Sequence, residues 1–509
     1  MKLARILFFI LFVMLLVQSC QEKAVNSNVY LELSDYGLLR DTTLSINRQA
    51  IRRHLEQLVR ADKDSSQADF TLRAYYANRR PFLWIDRFGA DGRADSLLNR
   101  LDDLRAMGLR PERFRVAQIK DDLAVLRQLN FQAAGSDVNR VLARLEYNLT
   151  KAFLSFSAGQ AFGFTNPRYS LNHFDVKDSD SLHVEYHRLF DVPMRRADQS
   201  FYEKAFRKIA NDSVETFLTA VQPRNPLYQR LQALLQNEAT TPQERPKILC
   251  NMERCRWHLD DQPFDHQKYV LVNIPAFRLY AVDGDSVSSM RVGCGTTKTK
   301  TPLLTSRIKR MDVNPQWIIP RSIIEKDIVR HVGDYGYFSR HRYSVRNRKS
   351  GKTVPIEEVT WSKLMDKNYL VVQEGGAGNS LGRIIFRFDN NFSVFLHDTS
   401  SPAFFSRDNR GVSHGCVRVQ NPYELAVFLL GDKDEKLMDK ISYSMTVDSI
   451  KSDTVDRDRL ISSHTLKPDV PVYLTYYTIY PDAEGKLHKY ADVYGFDKVI
   501  YRQLKPYVE

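Results

Sequence analysis

The chain has 509 residues, 43% hydrophobic, 27% charged and 11% aromatic, with only 22 glycines and 20 prolines. That composition excludes a collagen-like or low-complexity chain and wholesale disorder, and at roughly 150 residues per domain the length suggests two to four domains. Lys and Arg outnumber Asp and Glu by 74 to 61, a formal charge of +13 that falls to +11 without Lys2 and Arg5, which favours anionic surfaces such as nucleic acid, phospholipid or cell wall.

Lys2 and Arg5 precede the apolar run Ile6 to Val17. The run is too short to span a bilayer comfortably and has the length of the apolar core of a secretory signal. It ends in Val17-Gln18-Ser19-Cys20, which resembles the lipobox of bacterial lipoproteins. The resemblance implies cleavage after residue 19 and lipidation of Cys20, with polar residues 20–45 as a tether. It places the protein in the periplasm, anchored to the inner or the outer membrane, and argues against a nucleic-acid partner. The remaining cysteines are Cys250, Cys255, Cys294 and Cys416, with no CxxC spacing, so neither a structural zinc nor any other metal is expected. On a helix, Cys250 and Cys255 point about 140° apart, and both are expected to be reduced.

Residues 46–260 read as mainly helical. Ala94 to Leu104 carries leucines at three- and four-residue intervals behind an Asp or Ser cap, with Gly108 as the stop and Pro111 beyond it. Val141–Leu149 and Tyr228–Leu235 have the same spacing, and such stripes face a core. Tyr75, Tyr76 and Phe82-Leu83-Trp84 read as buried aromatic packing rather than a glycan platform.

The period changes near residue 268. Tyr269–Ile274 and Phe277–Val282 are strand-like, and Asp283-Gly284-Asp285 supplies a turn before Val287–Val292. A second hairpin is expected from Arg383–Phe388, the turn Asp389-Asn390-Asn391, and Phe392–Leu396. Between these blocks, residues 321–370 read as a basic, helical or irregular insertion. Gly375-Gly376-Ala377-Gly378 lacks the Lys-Ser/Thr of a phosphate-binding loop and reads as a turn. Val470 to Tyr477 returns to strand-type sequence.

Chemistry concentrates between His397-Asp398-Thr399 and Ser413-His414-Gly415-Cys416-Val417-Arg418. A cysteine becomes a good nucleophile when a base removes its proton or its thiolate is stabilised. His397, on a sheet edge, faces Cys416 on a glycine-containing turn, a workable base and nucleophile. Gly415 lets the backbone offer N–H groups to an oxyanion, and Arg418 could hold a carboxylate.

These two motifs resemble the signature of the bacterial L,D-transpeptidases, the peptidoglycan cross-linkers with a catalytic cysteine. Thr301-Pro302, Ser306, Asn314 to Ile323, Gly378 to Arg383 and Phe405 to Asp408 are similar to the large Gram-negative subgroup with a capping insertion. The resemblance covers residues 245 to 432 most specifically. It implies an α+β protein: a mainly helical scaffold over 46–260, a β-rich mixed-sheet catalytic domain over 261–432 with a lid over 321–370, and a C-terminal extension over 433–509. It makes Cys416 the nucleophile and His397 the base. Ser413, His414 and Gly415 would form the oxyanion hole and pocket, and Arg418, Asp398 and Thr399 would bind substrate. The implied reaction needs no cofactor. Donor and acceptor stem peptides of peptidoglycan are its partners, and carbapenem-type inhibitors would acylate the cysteine. An L,D-carboxypeptidase or related wall hydrolase using the same pair, and a non-catalytic wall-binding lipoprotein, are the competing readings.

Overall fold

The computed structural model describes residues 46–86, 89–128, 130–131, 137–179, 183–431, 434–448 and 454–508. The apolar N-terminal run, Cys20 and the tether lie outside the described residues. Among the described residues no helix is long and apolar enough to cross a membrane. The architecture is α+β, and the chain divides into two compact units. The first holds residues up to Thr165, Arg195–His258 and the tail from Gln503; the second holds Asn166–Met194 and Leu259–Arg502.

The first unit is helical: α1 Arg48–Ala61, α2 Gln67–Ala77, α3 Gly92–Asp102, α4 Val116–Gln128, α5 Val138–Phe162, α6 Gln199–Ala210, α7 Val214–Ala220, α8 Pro226–Gln236 and α9 Arg245–Arg256. Side chains begin these helices. Asp91 caps α3, Asp137 caps α5 through the N–H groups of Asn139 and Arg140, and Ser66 with Asp69 forms a capping box on α2. Gly108, at φ +71, follows the short turn that ends the α3 segment. The 25-residue α5 is buried along almost its whole length. Its Glu146 carboxylate accepts the Tyr76 hydroxyl at 2.8 Å and the N–H groups of Leu83, Trp84 and Ile85 at 2.5, 2.9 and 3.2 Å. Tyr75, Tyr76, Leu83 and Trp84 are therefore core residues, as their sequence suggests. Cys250 and Cys255 are both buried on α9.

The second unit is built on strands β1 Phe190–Asp191, β2 Lys268–Asn273, β3 Arg278–Asp283, β4 Ser286–Gly295, β5 Leu303–Val313, β6 Trp317–Ile318, β7 Tyr343–Asn347, β8 Thr353–Val354, β9 Tyr369–Gln373, β10 Ile384–Phe388, β11 Leu396–His397, β12 Gly411–Ser413, β13 Val417–Val419 and β14 Ser463–Thr475. Eight of them pair in a closed cycle, β10-β11-β13-β4-β3-β2-β14-β5 and back to β10. Most neighbours are antiparallel, but β2 with β14 and β11 with β13 are parallel. Strand alternation puts Leu271, Tyr280 and Tyr473 in one cluster. It turns Val270, Val272, Leu279 and Val472 to the opposite face, where each is fully buried. β1 runs parallel to the start of β5, so residues 166–194, read from sequence with the helical half, belong to the β-rich unit. Leu189 and Phe190 anchor there, their N–H groups held by the Asn172 side chain.

Two sequence expectations change here. The predicted strand Phe392–Leu396 is only Leu396–His397, because the Asn390 side chain takes the N–H groups of Phe392 and Val394 and the Val394 carbonyl, folding residues 390–394 into a turn. The insertion expected to be helical or irregular carries a four-stranded sheet, β6-β9-β7-β8. It has a core of its own, made by Ile319, Ile324, Ile328, Phe338, Val345, Val359, Leu364 and Val371. Gly375 to Gly378 is a turn, with the Arg342 guanidinium donating to the Gly375 and Ala377 carbonyls.

Candidate active site

His397 lies within the closed sheet, not on its edge, because β11 pairs with β10 on one side and β13 on the other. In the parallel β11–β13 pair His397 is in register with Arg418, and Leu396 with Val417. Residues in register share a face, so His397 and Arg418 face the same way, and Cys416 immediately precedes β13. All three line one cavity of about 600 Å³. The other walls are the turn Phe392–Phe395, residues Gln316–Ile324 at the base of the insertion, and Arg348, Tyr369 and Leu370 on its sheet.

Cys416 is half-buried at the start of β13, with its sulfur 3.8 Å from the Ser393 carbonyl. Burial pushes its thiol up from the usual value, partly opposed by a backbone N–H contact and by Arg418. His397 is 3% exposed, and its Nδ1 lies 3.3 Å from the Leu381 carbonyl. A carbonyl only accepts, so Nδ1 carries the proton and Nε2 keeps its lone pair. Burial, reinforced by Arg418, pushes the imidazole down to about 4. At neutral pH the pair therefore rests as thiol and neutral imidazole. Arg418 favours the thiolate and disfavours the imidazolium at once. Its guanidinium lies 5.8 Å from the Phe404 ring, and its buried Nε has no hydrogen-bond partner.

Ser413 is buried and acts on the backbone: its hydroxyl donates to the Cys416 carbonyl at 2.5 Å and accepts the Gly415 N–H at 3.1 Å. Gly415 sits at φ +123, a conformation that favours glycine. Since its N–H is already engaged, the amides of His414 and Cys416 remain for an oxyanion. His414 is exposed and lines the cavity.

Asp398 and Thr399, expected to bind substrate, are not among the cavity-lining residues. The alternation that turns His397 into the cavity turns Asp398 away, and its carboxylate accepts the Arg383 N–H at 2.8 Å. Thr399 accepts the Ser401 N–H in a local turn. The sequence reading gave no site role to Ser393, Phe395 or Arg387, and took Arg348 only as part of the basic insertion and Arg321 only as part of Asn314 to Ile323; all five line the cavity. Only the Asp-Asn-Asn turn chemistry pointed toward the first two. Four arginines and two histidines face this space, and no carboxylate side chain does among the described residues.

Residues 267–441 match the family described as the L,D-transpeptidase catalytic domain, YkuD, and residues 71–235 match the family described as a scaffold domain. A protein of Haemophilus influenzae, named "Putative L,D-transpeptidase", is 28% identical over 297 residues, 57% of this chain and 57% of its own length. The chain thus spans little more than half of that curated relative. Cysteine and histidine both lie inside residues 267–441, the span that matches the L,D-transpeptidase catalytic domain family, and the scaffold-domain match over residues 71–235 precedes it in the chain.

Proposed function

We propose that the protein is a peptidoglycan L,D-transpeptidase that forms 3→3 cross-links through a thioester on Cys416. The observation that supports this reading is that Cys416, His397 and Arg418 line one cavity, with no carboxylate side chain among its described lining residues. In the first step the Cys416 proton passes to His397 Nε2 as the sulfur attacks the carbonyl between the third stem residue and the terminal D-alanine. The amides of His414 and Cys416 hold the oxyanion, His397 returns the proton to the leaving amine, and D-alanine departs. In the second step the side-chain amine of another stem attacks the thioester, giving an amide and restoring the thiol. The insertion, which supplies one wall of the cavity, keeps water from competing with that amine.

Anionic stems suit the four arginines of the cavity. Lipidation at Cys20 would hold the enzyme on a membrane face in the periplasm, within reach of the wall. Carbapenem-type inhibitors would acylate Cys416 and add their mass to the intact protein. Hydrolysis is the second reading: His414 is an exposed residue on the cavity wall, so water has a route to the thioester.

The test is a soluble form beginning after Cys20, incubated with purified disaccharide-tetrapeptide beside its Cys416→Ala variant, with products read by mass spectrometry. Dimers lacking D-alanine, made only by the form that keeps Cys416, are the expected result. Tripeptide without dimers would move the assignment to an L,D-carboxypeptidase. Unchanged substrate would remove the acyl-transfer reading.

A further inference from the structure

The turn that presents Cys416 is held from beneath by the loop Gly295–Thr301. The Thr296 N–H donates to the Ser413 carbonyl at 3.1 Å, and the Thr299 hydroxyl donates to the same oxygen at 2.8 Å. The Thr301 hydroxyl donates to the Gly415 carbonyl at 2.8 Å while accepting the Gly295 N–H at 2.8 Å. Thr301 is fully buried, so that hydroxyl has no water to turn to. The loop is closed tightly enough that a Cβ on Gly295 would lie 2.0 Å from the Thr299 carbonyl oxygen.

A residue distant in sequence ties the two ends of this loop together. The Tyr494 hydroxyl donates to the Gly295 carbonyl at 2.7 Å and accepts the Thr301 N–H at 3.2 Å. Tyr494 is itself held in place: its N–H donates to the Tyr476 hydroxyl, which donates to Asp492, and the two tyrosine rings stack at 5.8 Å. Burial raises the Tyr494 phenol, which stays protonated and able to donate. Both tyrosines lie beyond residue 441, where the matched catalytic domain ends, as does β14, which closes the sheet between β2 and β5.

We propose that Tyr494 is a positioning residue for Cys416, acting through the loop Gly295–Thr301, so that the C-terminal segment is part of the working catalytic unit. The chain of bonds runs from the Tyr494 hydroxyl to Gly295 and Thr301, and from Thr301 to the Gly415 carbonyl, one residue before the nucleophile. What Cys416 does for the reaction rests on the acyl-transfer reading above; how its turn is seated does not.

The test uses the full-length chain with Tyr494→Phe, Thr301→Val and Thr301→Ser, and Ile479→Val as a control for loss of packing in the same segment. Two quantities are read: the rate of Cys416 alkylation by iodoacetamide between pH 6 and 9, followed by peptide mass, and kcat and KM on the tetrapeptide. Freed from its seat, the thiol of Tyr494→Phe and Thr301→Val alkylates about tenfold faster, while kcat falls about tenfold and KM stays within about twofold. Thr301→Ser restores both values, and Ile479→Val lowers the melting temperature with alkylation unchanged. Alkylation at the wild-type rate in both Tyr494→Phe and Thr301→Val overturns the proposal, whatever happens to their melting temperatures. If Tyr494→Phe fails to fold, the Thr301 pair decides. If the unaltered chain makes no cross-links, the acyl-transfer reading fails while the alkylation rates still judge Tyr494.

Discussion

Glu146 in the helical unit and His397 in the β-rich unit are both buried ionisable groups, and they are treated in opposite ways. The Glu146 carboxylate receives a hydroxyl and three backbone N–H groups, and burial still raises it above the usual range. His397 has only backbone partners, the Leu381 carbonyl at 3.3 Å from Nδ1 and the backbone of Asp398, beside a cationic neighbour. The first group is saturated and rigid, and organises the chain around residues 83–85. The second is buried with few partners, which costs its charged form dearly and leaves the ring a neutral base.

The largest effect is expected where saturation is removed. Glu146→Ala strands three backbone donors in a place closed to water, while the Tyr76 hydroxyl keeps Thr150 Oγ1 at 2.7 Å, and should lower unfolding free energy by on the order of 4 kcal/mol. Glu146→Gln keeps one acceptor oxygen and should lose about half as much. Urea unfolding of the two variants measures both numbers, and an alanine variant within about 1 kcal/mol of the parent would break the comparison.

Next comes the cost of the unsaturated group. His397 stays neutral in the folded protein down to about pH 4, against a reference value of 6.5. Between those values the unfolded chain binds the extra proton, so stability falls as pH drops from 6.5 and levels off below 4. The contribution reaches about 3 kcal/mol. Unfolding at pH 7, 5.5 and 4.5 should show that slope in the parent and its loss in His397→Gln. Parallel pH curves for the two proteins would remove His397 as its source.

A smaller change tests the cationic neighbour. Arg418 is the second cause of the low imidazole value, after burial. The base works only when neutral, so the acid limb of kcat/KM should lie near pH 4 and move upward in Arg418→Gln, stopping short of 6.5 because burial persists. The same substitution removes an attraction for the thiolate, so alkylation of Cys416 should need a higher pH. An acid limb that stays in place would mean that Arg418 acts on substrate instead.

How much of this was legible in the sequence follows from the range of the forces involved. Helix stripes, caps and the strands at 268–295 were legible because they depend on neighbours within a turn or a hairpin. The motifs that resemble a family also singled out Cys416 and His397, which line one cavity. The closure of the sheet by β14 was not, since it joins Leu271 to Tyr473 across some two hundred residues with no local mark. Nor was the sheet inside the insertion, whose short strands are held by the cluster around Val345 and Val371. The cavity wall at 392–395 was read as the second strand of a hairpin, and the Asn390 side chain overrides that pairing by taking the N–H groups of Phe392 and Val394.

The smallest expected effect separates two adjacent residues. His397 and Asp398 follow one another in the motif, and the sequence gives no reason to treat only one as facing substrate. In the structure the Asp398 carboxylate supports the turn at Gly382-Arg383, where Gly382 holds φ +68 and a Cβ would lie 2.4 Å from the Asp398 Cβ. Burial raises the Asp398 carboxyl, and the Arg383 N–H opposes that. Asp398→Asn keeps an oxygen in place and should cost about 1 kcal/mol of stability, with KM for the tetrapeptide within about twofold of the parent. A tenfold rise in KM at unchanged stability would instead put Asp398 against substrate. Such a rise would require strand β11 to rotate its side chains in the complex, carrying His397 out of the cavity, so it would also cost the base its position.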